Sequence, residues 1–200
     1  IGGVGLGAWI LFRESKKGMN SLAPEAPLIF CFSPLVGTPL TTSAKFAVLA
    51  KSPLTNRISD ALSSSHFAIE AKKTGFDAIV ITGRSATKRI VIIEEGKVTL
   101  QNADDLQGLS ALATSEKLHT RLAAGFQIAA IGLAGENQVL FANLSHERRH
   151  AGRGGLGAVL GSKNIKAIAV KGSTRMAVAF PAKLVEKARE LSAKSFGPAT

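Results

Sequence analysis

The chain has 200 residues, 46% hydrophobic and 20% charged, with a formal net charge of +11. That balance excludes a disordered chain, and the length is enough to bury a core in one or two domains. The single cysteine, Cys31, excludes an internal disulfide and any cysteine-built cluster or structural zinc within these residues, which fits a reducing, cytoplasmic setting.

Residues 1–12 are apolar and glycine-rich, too short to span a bilayer, and read as a small-residue helix packed in a core. The chain starts at Ile1 rather than Met, so it reads as truncated at its N-terminus. Residues 27–32 (PLIFCF) are a continuous apolar run, the pattern of a buried strand, closed by the turn Ser33-Pro34. Residues 45–50 (KFAVLA) read as a second strand, ended by Lys51-Ser52-Pro53. A helical pattern covers 66–73, with Gly75 as its stop, and a β-branched run at 78–82 reads as a buried strand. Residues 89–93 and 97–100 flank Glu94-Glu95-Gly96 as a hairpin. An amphipathic helix is expected over 109–123, then strands over 126–131 and 138–144. A short helix over 156–162, a strand over 165–171 and a charged helix over 182–194 behind Pro181 complete the chain.

The chain repeats itself. Residues 67–83 lie over 156–172 without a gap, so that helix falls on helix and Gly75 on Asn164. Upstream, strand 29–32 with Gly37 echoes strand 128–131 with Gly132 and Gly135. The expected fold is therefore α+β and internally duplicated, two similar strand-helix-strand halves related by a pseudo-twofold axis. Loops 52–65 and 145–155 then occupy equivalent places. They are expected to face one concavity, with Lys45, Arg149 and Arg153 at its rim.

The richest local signal is Arg149-His150-Ala151-Gly152-Arg153-Gly154-Gly155-Leu156-Gly157. Glycines let backbone approach a ligand, and guanidinium groups are bidentate donors to phosphate, so an oxyanion is expected here. Ser63-Ser64-Ser65, ahead of a helix, is an N-cap cluster able to donate to the same anion. His146-Glu147-Arg148-Arg149-His150 matches the zinc-hydrolase pattern H-E-x-x-H, but Gly152, Gly154 and Gly155 would break the helix that it needs. The cations are scattered, Tyr is absent and aromatic residues reach only 6%, which argues against nucleic acid as the partner.

Six segments appear in order: Gly2-Gly3-Val4-Gly5-Leu6-Gly7-Ala8, Ser33-Pro34-Leu35-Val36-Gly37-Thr38, Lys51-Ser52-Pro53-Leu54-Thr55, Gly75-Phe76-Asp77-Ala78-Ile79-Val80, Ile131-Gly132-Leu133-Ala134-Gly135-Glu136-Asn137, and AGRGGLGAVLGSKNIKAIAV from Ala151. Together they resemble the N-terminal domain of the tungsten-containing aldehyde:ferredoxin oxidoreductases, over residues 1–175, with 176–200 leading to the next domain. The resemblance implies a duplicated platform under a tungsten (or molybdenum) bis-pterin, with Mg2+ bridging the pterin phosphates. It implies that Arg149, Gly152 and Arg153 contact pterin, and that the His150 backbone carbonyl approaches the magnesium. The first half departs from the pattern. Lys45 stands where the family usually has Arg, Leu62-Ser63-Ser64-Ser65 replaces Asn-Ser-Gly-Gly, and Val4 replaces a frequent Arg.

For the whole protein the resemblance implies oxidation of an aldehyde to a carboxylic acid, with electrons passing through a [4Fe-4S] cluster to a ferredoxin-type acceptor. Cluster and aldehyde pocket are expected in later domains, leaving this segment inactive alone. No membrane partner is expected, and a homo-oligomer stays open. The competing reading is a degenerate, non-catalytic domain of the same fold that binds a simple anion or a partner protein.

Overall fold

The computed structural model describes residues 2–195. Helix α1 (Gly3–Glu14) is followed by strands β1 (Leu28–Phe32), β2 (Lys45–Lys51) and β3 (Ile58–Ser64), helix α2 (His66–Lys73) and strand β4 (Ala78–Ile81). These strands form one antiparallel sheet in the order β3-β2-β1-β4. A hairpin of β5 (Arg89–Glu94) and β6 (Lys97–Asn102) leads to α3 (Ala111–Arg121). Then come β7 (Gln127–Ala130), α4 (Leu133–Glu136), β8 (Leu144–His146), β9 (Arg149–Ala151), α5 (Leu156–Gly161), β10 (Ile165–Lys171) and α6 (Pro181–Ser195). The second sheet runs β6-β5-β10-β7-β8-β9. Its segment β9-β8-β7-β10 has the order and antiparallel pairing of the first sheet, and the β5–β6 hairpin extends it by parallel pairing of β5 with β10.

Burial explains the layering. Leu28, Phe30 and Phe32 of β1 face the main core, while Ile29 and Cys31 face α1, so β1 is apolar at every position. The main core lies between the sheets and encloses Phe67 of α2 and Leu156, Val159 and Leu160 of α5. Helix α3 covers the far face of the second sheet through Leu118 against Ile90, Ile92 and Ile128. Gly75 and Asn164 both take left-handed φ values, +94° and +57°, where α2 and α5 stop. Side-chain bulk is tolerated poorly there, which is why Gly and Asn hold these positions.

Several sequence expectations need correction. The strands β1-β2-β3 before α2, and β7-β8-β9 before α5, are three-stranded antiparallel arrangements, not the simple strand-helix-strand units expected. Segment 52–65, expected as a loop, contains β3, and 145–155 contains the β8–β9 hairpin. Residues 138–144 are largely irregular, with only Leu144 in a strand, because α4 and Gln138 at φ +54° turn the chain sharply. Helix α3 is shorter than its expected span of 109–123. Helix α1 packs one face on the first sheet and leaves Trp9 and Phe12 exposed. Ile1 of the first expected helix, and positions 196–200 of the last segment, lie outside the described residues. Among the described residues no helix is long and apolar enough to cross a membrane.

Candidate functional site

The edge strands of the two sheets, β3 and β9, lie against each other, and this seam brings the two expected loops together. Lys45 pairs with Ser64 across β2 and β3. Arg149 opens β9 opposite His146. A cavity of about 260 Å³ at the seam is lined by Lys45, Leu62, Ser63, Ser64 and Arg149. Arg149 Nη1 donates to Ser64 Oγ at 3.3 Å. Two exposed cations and two hydroxyls in one concavity form a donor set suited to phosphate oxygens.

Of the expected site residues, Lys45 and Arg149 line this cavity, whereas Gly152 and Arg153 do not and follow β9 in the turn before α5. Arg153 is exposed and strained at φ +64°. The His150 carbonyl accepts from Ser63 Oγ at 3.2 Å, and its ring Nδ1 contacts Ser145 Oγ at 2.9 Å.

The glycine loop divides in two. A Cβ on Gly154 would overlap Ser59, and one on Gly155 would overlap Leu140 O and crowd Pro53. Gly154 is thus required by the contact with β3, and Gly155 by its own neighbour Leu140 together with Pro53 across the seam. A Cβ on Gly152 would meet nothing within 4 Å. Nothing in the protein's own packing demands glycine there, and the backbone is open to a ligand.

His146 and Glu147 are the functional candidates that sequence reasoning discounted. The H-E-x-x-H segment is a β-hairpin rather than a helix, with Glu147 and Arg148 at φ +46° and +61°. The His146 ring is buried between Ser63 Oγ (2.6 Å from Nε2) and Ser65 Oγ (2.7 Å from Nδ1). Glu147 accepts from the His66 backbone N–H at 3.0 Å and so occupies the N-terminus of α2, which Ser65 also caps through Phe67 N–H. The serine cluster is therefore partly committed to the protein itself.

Burial, and then the charges of His150 and Arg149, push the His146 imidazole down to about 4 from an ordinary 6.5. The unfolded ring takes its proton near 6.5 while the folded ring resists until about 4, so the unfolded state binds more protons across that window. Stability present at neutral pH is therefore lost as pH falls from 6.5 to 4, by about 3 kcal/mol in total. Urea midpoints recorded from pH 7.5 to 4 are expected to fall less steeply in His146→Phe; parallel profiles would disprove the assignment.

A family model described as "Aldehyde ferredoxin oxidoreductase, N-terminal domain" matches residues 1–172. The chain belongs to this family. Tungsten-containing aldehyde ferredoxin oxidoreductases of Pyrococcus horikoshii and Pyrococcus abyssi are 39% and 40% identical to it over 192 residues, 95% of this chain and 32% of each relative. An aliphatic sulfonate oxidoreductase, WOR-like subunit, of Pyrococcus furiosus is 31% identical over 189 residues, 86% of this chain and 30% of that protein. Among solved structures, the active site complex BamBC of benzoyl coenzyme A reductase with 1,5 dienoyl-CoA matches with a TM-score of 0.93 at 35% identity. It covers 97% of this chain and 30% of that one. The chain thus spans about a third of the length of the relatives it matches. As an aldehyde ferredoxin oxidoreductase N-terminal domain it is a segment of an oxidoreductase family with tungsten-containing members.

Proposed function

We propose that this domain is the platform for a tungsten (or molybdenum) bis-pterin in an oxidoreductase that converts aldehydes to carboxylic acids. The observation that carries the reading is the seam cavity, where Lys45 and Arg149 from the two sheets share one concavity with the Ser63 and Ser64 hydroxyls. In this reading Lys45 and Arg149 bind phosphate oxygens, with Arg153 adding charge from the turn beyond. Gly152 gives the pterin room at the backbone. The His150 carbonyl accepts one hydrogen bond, from Ser63, and its second lone pair would be available to a Mg2+ held with the cofactor phosphates. When bound, the metal cofactor supplies two-electron redox chemistry at the substrate carbon. In the whole protein a [4Fe-4S] cluster would supply the route for those electrons to a ferredoxin-type acceptor. A lone cysteine cannot ligate that cluster, so its ligands belong to the part of the relatives that this chain does not span, and the 200 residues alone are inactive.

The same reading treats the two sheet units as repeats. The matching strand orders, the φ-positive stops at Gly75 and Asn164, and the alignment of residues 67–83 with 156–172 all support it. We place the end of the domain near residue 175 and the protein in the cytoplasm. A second reading, a degenerate domain that binds a simple anion or a partner, draws on two contacts. Glu147 already occupies the α2 N-terminus, and Ser63 already holds the His150 carbonyl.

Metal and pterin analysis of the full-length protein, purified without oxygen, separates the two readings. Arg149→Ala is expected to lower pterin content several-fold while Arg89→Ala, in the β5 strand away from the seam, leaves it unchanged. Wild-type protein without tungsten, molybdenum or pterin would favour the degenerate reading instead.

A further inference from the structure

One hydrogen-bond chain crosses the seam, and proton counting gives its direction. Ser65 Oγ accepts the Phe67 N–H at 3.2 Å as the cap of α2. At the far end of the chain the His150 carbonyl can only accept, which takes the Ser63 proton and leaves the Ser65 proton for His146 Nδ1, 2.7 Å away. An Nδ1 that accepts must be unprotonated, so the proton of the neutral ring sits on Nε2 and points at Ser63 Oγ, 2.6 Å away. Ser63 in turn donates to the His150 carbonyl at 3.2 Å. The ring cannot swing out of this chain. It is held edge-on to Phe46, with centroids 4.9 Å apart, and tilted against Phe67 at 6.3 Å.

The neighbouring serine behaves differently. Ser64 Oγ accepts from Arg149 Nη1 at 3.3 Å, and its proton is not taken up by the chain through His146. The cavity wall thus carries one serine that braces the seam and another whose hydroxyl hydrogen remains for a ligand.

We propose that His146 is a positioning residue of the anion cavity: held as the Nε2–H tautomer, it turns the Ser63 hydroxyl onto the His150 carbonyl and fixes β3 against β9. Lys45 and Arg149 are thereby kept on one concavity, with Ser64 as the hydroxyl donor to a phosphate group. The inference rests on the reading of this cavity as a phosphate site.

The test uses the cofactor-free full-length protein and inorganic phosphate, with the His146 ring followed by nitrogen–proton NMR correlations. The wild-type ring is expected to show the Nε2–H tautomer, and Ser65→Ala, which removes the donor to Nδ1, is expected to mix the tautomers. Phosphate affinity should fall about tenfold in His146→Phe, which keeps the aromatic packing but loses both ring hydrogen bonds. His146→Gln, whose amide can donate to one serine and accept from the other, should recover most of that loss. An Nδ1–H tautomer in the wild type, or wild-type phosphate affinity in a folded His146→Phe, overturns the proposal. If His146→Phe does not fold, Ser65→Ala decides: mixed tautomers with weakened phosphate binding support the relay, and unchanged values of both overturn it. Arg149→Ala separates the two levels of argument. If it binds phosphate as tightly as wild type, the cavity is not an anion site and the platform reading falls with the inference. If Arg149→Ala loses phosphate while His146→Phe keeps it, only the inference falls.

Discussion

Replacing Glu136 by alanine is expected to destabilise the domain by about 3–5 kcal/mol, because it strands a buried lysine. Lys166 lies in the middle of the second sheet and is fully buried, with Nζ bonded to the Leu109 carbonyl at 2.7 Å and paired with Glu136 Oε1. Glu136 also accepts from Lys88 Nζ at 3.0 Å and from the Gly108 N–H at 3.2 Å. Burial raises the Glu136 carboxyl, but the hydrogen bonds from Lys166, Lys88 and Gly108 outweigh it and hold the group below its ordinary 4.5. A depressed carboxyl contributes stability that is full above 4.5 and lost as pH falls through its lower folded value. The loss in Glu136→Ala should therefore be large at pH 7 and shrink in acid. The double variant Glu136→Ala, Lys166→Met should recover much of the stability, since the methionine carries no charge to desolvate. Denaturant titrations of the three variants check this; a Glu136→Ala loss under 1 kcal/mol would mean that the pair carries little of the fold's stability.

The glycine loop gives the second large effect, and it splits by position. Gly155 holds φ +75° as the residue before α5, and a Cβ there would overlap the Leu140 carbonyl and press on Pro53. Left-handed strain of about 1–2 kcal/mol adds to overpacking of about 1–3 kcal/mol, so Gly155→Ala should cost about 2–5 kcal/mol. Gly152 has no left-handed φ and no neighbour for a Cβ, so Gly152→Ala should change stability by less than about 0.5 kcal/mol. Its effect is expected on the cofactor, as lowered pterin content in a protein that melts like wild type. Full pterin retention in Gly152→Ala would remove the ligand-facing role of that backbone.

How legible each element was depended on where its information lies. The β5–β6 turn and the β8–β9 turn have the same backbone, two consecutive residues with positive φ: Glu95 and Gly96 at +47° and +77°, Glu147 and Arg148 at +46° and +61°. The first was readable because glycine marks such a turn, and the second was not, because Glu-Arg carries no turn signal. Strand β3 escaped notice for a related reason. As an edge strand it buries only Ala61 firmly, so ISDALSS lacks the alternation that a half-buried strand shows. Helix α4, four residues long, is shorter than any helical period can declare.

What the sequence determined by itself was the inventory: β1 and β10 as buried strands, α2 and α5 with their stops, and the family through its ordered motifs. These depend on local rules, in which apolar runs and φ-tolerant residues speak for their own neighbourhood. The tertiary structure decided the site. Ser63 and His146 are 83 positions apart, and Ser63 and His150 are 87 apart. They meet only because β3 and β9 are the exposed edges of two sheets stacked on one core. The same stacking reassigned Gly154 and Gly155 from an expected ligand to the seam, and turned His146 from a discounted metal ligand into a buried link between serines. A side chain's hydrogen-bond partner is set by which edges the core brings together, and no local pattern encodes that.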